Sequence, residues 1–277
     1  MTSWSAVVLA LPEGEADPMV SRLPAFLHPV AGRPLIWHSV TALLALANPP
    51  EEVVVLTEPE EITGLFDDLP VEIRITELAA DAAPAGLEIT TATALVCHAG
   101  CCFDSESLAQ LLDGGPGGWL GSPDGDVIAA LVGSSELSGV IQAEDPARRI
   151  RSLEVDRRLE ASSRLFRVRN RSDLARFNRR TRDTLVQSLM ESGVTFLLPE
   201  TVLVDVDVRI GRDSIVYPGV TIAGQTTIGQ ETVVGPGCRI TDSWIGSGGE
   251  LKGWNYIAHT SVRNRAILEP YVRRGFD

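Results

Sequence analysis

Lysine occurs once among the 277 residues, at Lys252. The shortage of cations is sharpest in residues 1–110, where sixteen acids face only Arg22, Arg33 and Arg74. That stretch accounts for the whole formal charge of −13, because residues 111–200 and 201–277 each balance. Such a surface repels polyanions, which excludes DNA, RNA and anionic membranes as its partners. Long apolar runs are missing too. The run Val7–Leu11 is too short for a membrane span or a signal segment and has no basic flank, which predicts a cytoplasmic protein. Four cysteines, Cys97, Cys101, Cys102 and Cys238, do not have the spacing of a disulfide framework or of paired zinc knuckles. They read as reduced, buried side chains; the lesser alternative is a metal or redox site formed by Cys97, Cys101 and Cys102 with His98.

Short apolar runs over 5–11, 53–57, 71–75, 93–98 and 126–132 predict buried strands. The stretches 34–47 and 105–112, opened by proline and serine, predict helices between them. This alternation means an α/β unit with a mostly parallel sheet and ligands beyond the carboxyl ends of its strands. Residues 114–125, GGPGGWLGSPDG, read as a connecting loop. Residues 172–193 read as one helix capped by Ser172, with Leu174, Phe177, Leu185 and Leu189 near one face and Gly193 as its stop. The arginines around it, from Arg164 to Arg182, read as a charged helix face rather than a polyanion site.

From Val204 the pattern changes. Large aliphatics recur every six residues at Val204, Ile210, Val216, Ile222, Ile228, Val234 and Ile240, and after one five-residue step at Ile245, Leu251 and Ile257. Four places after the earlier ones stand Val208, Ser214, Val220, Thr226, Thr232 and Cys238, all small or β-branched. Six residues make one flat side of a triangular parallel β-helix, so these ten positions predict about three coils. A short stack of coils leaves flat faces uncovered, which predicts a homo-oligomer, a trimer, formed side by side through the β-helix.

The segments Val7–Ala10, Gly14, Met19, Ser21, Pro24, Leu27-His28-Pro29, Ala31-Gly32, Pro34, His38, Val168, Asn170-Arg171 and Gly193-Val194, followed by the hexads, resemble one family. It is GlmU, the N-acetylglucosamine-1-phosphate uridylyltransferase and glucosamine-1-phosphate acetyltransferase, and more broadly the sugar-phosphate nucleotidyltransferases with a left-handed β-helix tail. The resemblance implies a Rossmann-like nucleotidyltransferase α/β domain over 1–168, a linker helix over 169–193 and a short left-handed parallel β-helix over 194–277. It further implies that active relatives join a nucleoside triphosphate to a sugar 1-phosphate with Mg²⁺.

Measured against that family, the expected pocket is vestigial: Ala10, Leu11, Gly14, Ala25, Cys101, Arg169 and Asn170 fall on its motif positions. Pro12 stands for the first loop glycine and offers no N–H, and Glu13, Glu15 and Asp17 face the place of a triphosphate. Ala25 replaces the phosphate-gripping lysine. Cys101 replaces the magnesium-binding aspartate, with Asp104 as a register-shifted substitute, and Arg169 replaces the second metal ligand. No base-reading Gln-x-Gly-Thr motif precedes residue 93, and the acetyltransferase histidine lies beyond the point that matches Glu269-Pro270-Tyr271; His259 reads as a surface side chain. The expectation is a pseudoenzyme without catalytic residues, metal or cofactor, acting as scaffold or as regulatory partner of an active paralogous enzyme. Two alternatives stay open: an active nucleotide-sugar pyrophosphorylase using Mg²⁺ and UTP through repositioned residues, and a hexapeptide-repeat acyltransferase.

Overall fold

The structure, a computed structural model, describes residues 3–11, 19–57, 62, 64–77, 87–122, 126–141, 157–160 and 165–275. In chain order the first part gives β1 (Ser5–Ala10), β2 (Pro29–Val30), β3 (Arg33–Pro34), α1 (Leu35–Leu44), β4 (Glu52–Thr57), β5 (Ile73–Glu77) and β6 (Thr93–His98). It continues with β7 (Cys101–Cys102), α2 (Ser105–Asp113), β8 (Gly118–Gly121), β9 (Val127–Gly133), α3 (Ser134–Ile141), β10 (Arg157–Glu160) and β11 (Phe166–Arg167).

Seven of these strands form one sheet in the order β10-β8-β9-β6-β1-β4-β5. β1 is parallel to β4 and β6, and β4 to β5, while β9 runs against both its neighbours. Side chains of β1 alternate between two cores: Ala6, Val8 and Ala10 join Ile36 and Val40 of α1 and Leu108 of α2 on one face, Val7 and Leu9 join Leu137 and Val140 of α3 on the other. Burial on both faces explains why these strands read as unbroken apolar runs.

One stretch differs from its sequence reading. Residues 114–125 are not simply a connection, since Gly118–Gly121 forms β8, with Trp119 and Leu120 buried and the Arg158 guanidinium 4.8 Å from the indole centroid. Glycine density hid a strand that a partner strand on each side holds straight.

The helix spans Arg171–Glu191. Its cap is Asn170 rather than Ser172: Asn170 Oδ1 accepts the N–H groups of Ser172 at 2.9 Å and Asp173 at 3.0 Å. Asp173 Oδ2 in turn accepts the N–H of Arg169, the residue before the cap, at 3.1 Å. Val186 and Phe177 are its buried residues, whereas Leu174, Leu185 and Leu189 are half-buried. At the other end Gly193 adopts φ +98°, with its N–H on Met190 O and the Val194 N–H on Leu189 O, the left-handed stop that glycine fits best.

From Thr195 to Arg274 fourteen strands of two or three residues stack into three parallel sheets of five, five and four strands. Register runs Ile222↔Ile240↔Ile257 and Val216↔Val234↔Leu251, so all ten predicted aliphatic positions point inward and are buried. The helix exceeds the expected three coils and has more than four. A second five-residue step, Ile257 to Val262, broke the visible register, and Val262 and Leu268 continue the core beyond it. Both shortened steps fall at the same corner, so the coil repeat drops from eighteen residues to seventeen without misaligning the stack. Inside the corners Ser214, Thr232 and Asn255 are fully buried and bond neighbouring backbone, Asn255 Nδ2 reaching Glu269 O at 2.7 Å. At the first coil, Val186, Leu189 and Met190 of the long helix complete the core.

By internal contacts the chain forms two units, Met1–His28 with Pro34–Leu174, and Pro29–Arg33 with Ala175–Asp277. This division falls inside the long helix, where the sequence reading placed boundaries at 168 and 193. It also gives residues 29–33 to the second unit, where the Val206 N–H reaches Ala31 O at 3.0 Å and Arg33 Nε reaches Asp207 Oδ2 at 2.8 Å.

Two substitutions separate the caps. Asn170→Ala is expected to cost about 1 kcal/mol and Ser172→Ala almost nothing; thermal melting with equal losses at both positions would contradict the assignment.

Candidate functional site

The carboxyl ends of β1, β4 and β6 bring together Ala10, Thr57 and His98, in the registers Ala10↔Thr57 and Leu9↔His98. This edge is where an open α/β sheet accepts ligands. Ala10 is buried and Leu11 half-buried, and the next expected residue, Gly14, lies outside the described residues with Glu13, Glu15 and Asp17. Ala25 opens a single 3₁₀ turn, Ala25–Leu27, and is half-buried.

After β6 the chain turns tightly. The Ala99 N–H bonds Leu9 O at 2.9 Å, and the Val168 N–H bonds Gly100 O at 2.8 Å. The buried Ser39 hydroxyl of α1 lies 2.7 Å from Ala99 O and 3.0 Å from Cys101 O, sharing its proton between them. Ser39 went unnoticed in the sequence, where its one signal is a hydroxyl on the apolar face of a helix.

Cys101 then pairs with Arg167, and Cys102 with Phe166, as β7 and β11 run antiparallel. Cys101 Sγ donates to Ile128 O at 3.5 Å, and burial pushes the thiol up to about 12 despite the Arg167 charge beside it. Burial also holds Cys97 well above the ordinary range, and the neighbouring Cys101 thiol adds to the effect. All four cysteines are free and buried, as their composition suggested.

Arg169, two residues before the long helix begins, reaches Asp126 Oδ2 with Nη1 at 2.9 Å. Asp126 was another residue the sequence did not single out, since it follows the glycine-rich run by one position. Asn170 is turned into the helix cap and is not offered to a ligand. The alternative carboxylate, Asp104, precedes α2 and accepts the Ser107 hydroxyl at 3.0 Å. His259 is exposed on a β-helix corner, its Nδ1 3.8 Å from Asp242 Oδ2.

The fold therefore gathers Cys101, Arg169, Asn170 and Ala10 at one edge, and adds Arg167 and Asp126. The two arginines modify the charge picture drawn from residues 1–110, for cations do reach this edge, but at the place of the metal ligands. These residues do not fit a magnesium ion. A protonated, hydrogen-bonded thiol is no hard donor, and the carboxylate of Asp126 is already held by a guanidinium. Among the described residues no group of three or more His, Cys, Asp or Glu is placed to hold a metal ion.

His98 stands beside this cluster with Nε2 enclosed and without a hydrogen-bond partner among the described residues. Burial, with the Arg167 charge adding to it, lowers it from 6.5 to about 3. Between those values the unfolded chain binds a proton that the folded chain refuses, so stability is lost as pH falls through that window. His98→Gln should flatten the decline in melting temperature between about pH 6.5 and pH 4; unchanged acid sensitivity would contradict a neutral, enclosed His98.

Comparison with known proteins completes the picture. Residues 207–242 match the family described as bacterial transferase hexapeptide (six repeats). GlmU of Geobacillus sp. (strain WCH70) is 35% identical over 106 residues, 38% of this chain and 23% of that protein. GlmU of Clostridioides difficile (strain 630) is 29% identical over 174 residues, 62% of this chain and 34% of that protein. The chain thus spans no more than about a third of the length of these relatives. Among solved structures, a 4-diphosphocytidyl-2C-methyl-D-erythritol synthase superposes with a TM-score of 0.49 at 17% identity, covering 64% of this chain and 97% of that one. The carboxy-terminal repeats are thus similar to those of GlmU, and the chain joins a mixed α/β sheet unit to a hexapeptide-repeat β-helix.

Proposed function

We propose that the chain is a non-catalytic relative of the sugar-phosphate nucleotidyltransferases, a cytoplasmic scaffold or regulatory subunit that associates with copies of itself, as a trimer, through its β-helix. One observation carries this reading. At the edge where a metal-assisted transfer needs hard oxygens, the chain has the buried Cys101 thiol and the Arg169–Asp126 pair. Nucleotidyl transfer lets charge develop on phosphoryl oxygens, and metal and cations aimed at those oxygens lower its barrier. Ala25 and the acid-rich loop supply none of that help. Losses at the metal and the triphosphate positions multiply, because each stabilises the same transition state.

No helix among the described residues is long and apolar enough to cross a membrane. The scaffold role draws on the β-helix, which keeps a complete apolar core while the α/β unit has lost its donors.

Incubation with UTP, N-acetylglucosamine 1-phosphate and Mg²⁺ tests the reading. Pyrophosphate is expected at the rate of a protein-free control; turnover above that control, abolished by removing Mg²⁺, would restore the pyrophosphorylase alternative.

A further inference from the structure

The seven-stranded sheet ends differently on its two sides. At one end β10 carries two arginines: Arg157 Nη2 donates to Leu111 O at 2.7 Å, and the Arg158 guanidinium lies over Trp119. Charged side chains on an edge strand discourage the addition of another strand. β5, at the other end, has no such protection. It pairs with β4 on one side only, so about half of its N–H and C=O groups face away from the sheet with no described strand to bond. Its one cation, Arg74, is already engaged, with Nη2 3.3 Å from Glu52 Oε2 and 2.6 Å from Glu88 O, to which it donates.

The apolar side chains of this edge lie on the α1 face of the sheet. Val71, Ile73 and Ile75, spaced by two, line a cavity of about 420 Å³ with Phe66. Phe66 and Ile73 pack on the core beneath, but Val71 is 42% and Ile75 40% exposed. Asp67 and Glu72, both exposed, stand in the same lining, and no lysine or arginine joins them there among the described residues. A row of aliphatics beside an open backbone edge is a template for an added strand, in which main-chain hydrogen bonds give affinity and pockets for alternate side chains give specificity. The two carboxylates set the charge of that strand. They disfavour a second copy of this edge, which would bring Asp67 and Glu72 against their own counterparts, and favour a cationic guest.

We infer that the β5 edge is a docking site for an extended segment of another protein, one that lengthens the sheet by a strand and turns aliphatic and lysine or arginine side chains into the cavity at alternate positions. The inference goes beyond the scaffold reading and does not rest on it, since such an edge would serve a catalytic chain equally.

Titration of the full chain with the acetylated octapeptide Thr-Lys-Thr-Ile-Thr-Ile-Thr-Lys, read by calorimetry and by backbone amide exchange, tests it. The peptide places lysine and isoleucine on one face, in an order that is the same in either strand direction. Saturable binding at micromolar peptide is expected, with amide exchange slowed within residues 73–76. Val71→Lys and Ile75→Lys, at exposed positions, should melt close to the parent yet bind the peptide about tenfold or more weakly. The same residues in the order Lys-Lys-Ile-Ile-Thr-Thr-Thr-Thr should lose about as much, because alternation is broken. Equal binding of the two peptides would reduce the effect to attraction between opposite charges and overturn the inference. So would binding that leaves exchange within residues 73–76 unchanged, or no binding at millimolar peptide. A parent whose own association is lost on Ile75→Lys, without peptide binding, would assign the edge to a second copy instead.

Discussion

Each side of the triangular coil can turn one large side chain inward, and the carboxy-terminal unit follows from that constraint. It sets the six-residue recurrence and stacks Ile222, Ile240 and Ile257 in register. It also leaves corners filled by smaller or hydrogen-bonded side chains, among them Ser214, Val220, Thr226, Thr232, Cys238 and Asn255. Shortening is tolerated where successive coils shorten alike, as at Ile240–Ile245 and Ile257–Val262, because what must be kept is vertical alignment and not coil length. Polar corner side chains cost little there, since Ser214, Thr232 and Asn255 bond carbonyls of the next coil and Ser243 one in its own.

In the α/β unit the packing of the sheet fixes what stands at the carboxyl ends of its central strands. Strands buried on both faces hold the turn after β6 in place, and Ser39 ties that turn to α1. What the turn presents is a neutral thiol, an enclosed neutral imidazole and a guanidinium matched to Asp126. Partly exposed on both partners, that ion pair adds about 1 kcal/mol at most to stability. Its weight is chemical: it takes up the carboxylate that a divalent ion would need.

The fold was largely legible because periodicity survives in the residues themselves. Thr93–His98 reads as a strand without ambiguity, and ten β-helix positions follow from spacing alone. Local chemistry was harder to place. Gly118–Gly121 looks like loop because a strand held between two partners does not need β-formers. The run 71–75 shifted to Ile73–Glu77 because Val71 is exposed and precedes the pairing with β4. Ser172 looked like the cap because serine is a good one, but Asn170 sits two residues earlier with Asp173 reaching back. Of the pocket, Cys101 and Arg169 could be placed from sequence, but Asp126 and Arg167 could not, since only the fold brings them there.

Calorimetric titration of the full chain with UTP in the presence of Mg²⁺ addresses the decisive question most directly, whether this edge still holds a triphosphate. The chemistry of Cys101, Arg169 and Asp126 requires that no magnesium-dependent heat of binding appear at millimolar nucleotide. Saturable, micromolar, magnesium-dependent binding would contradict it.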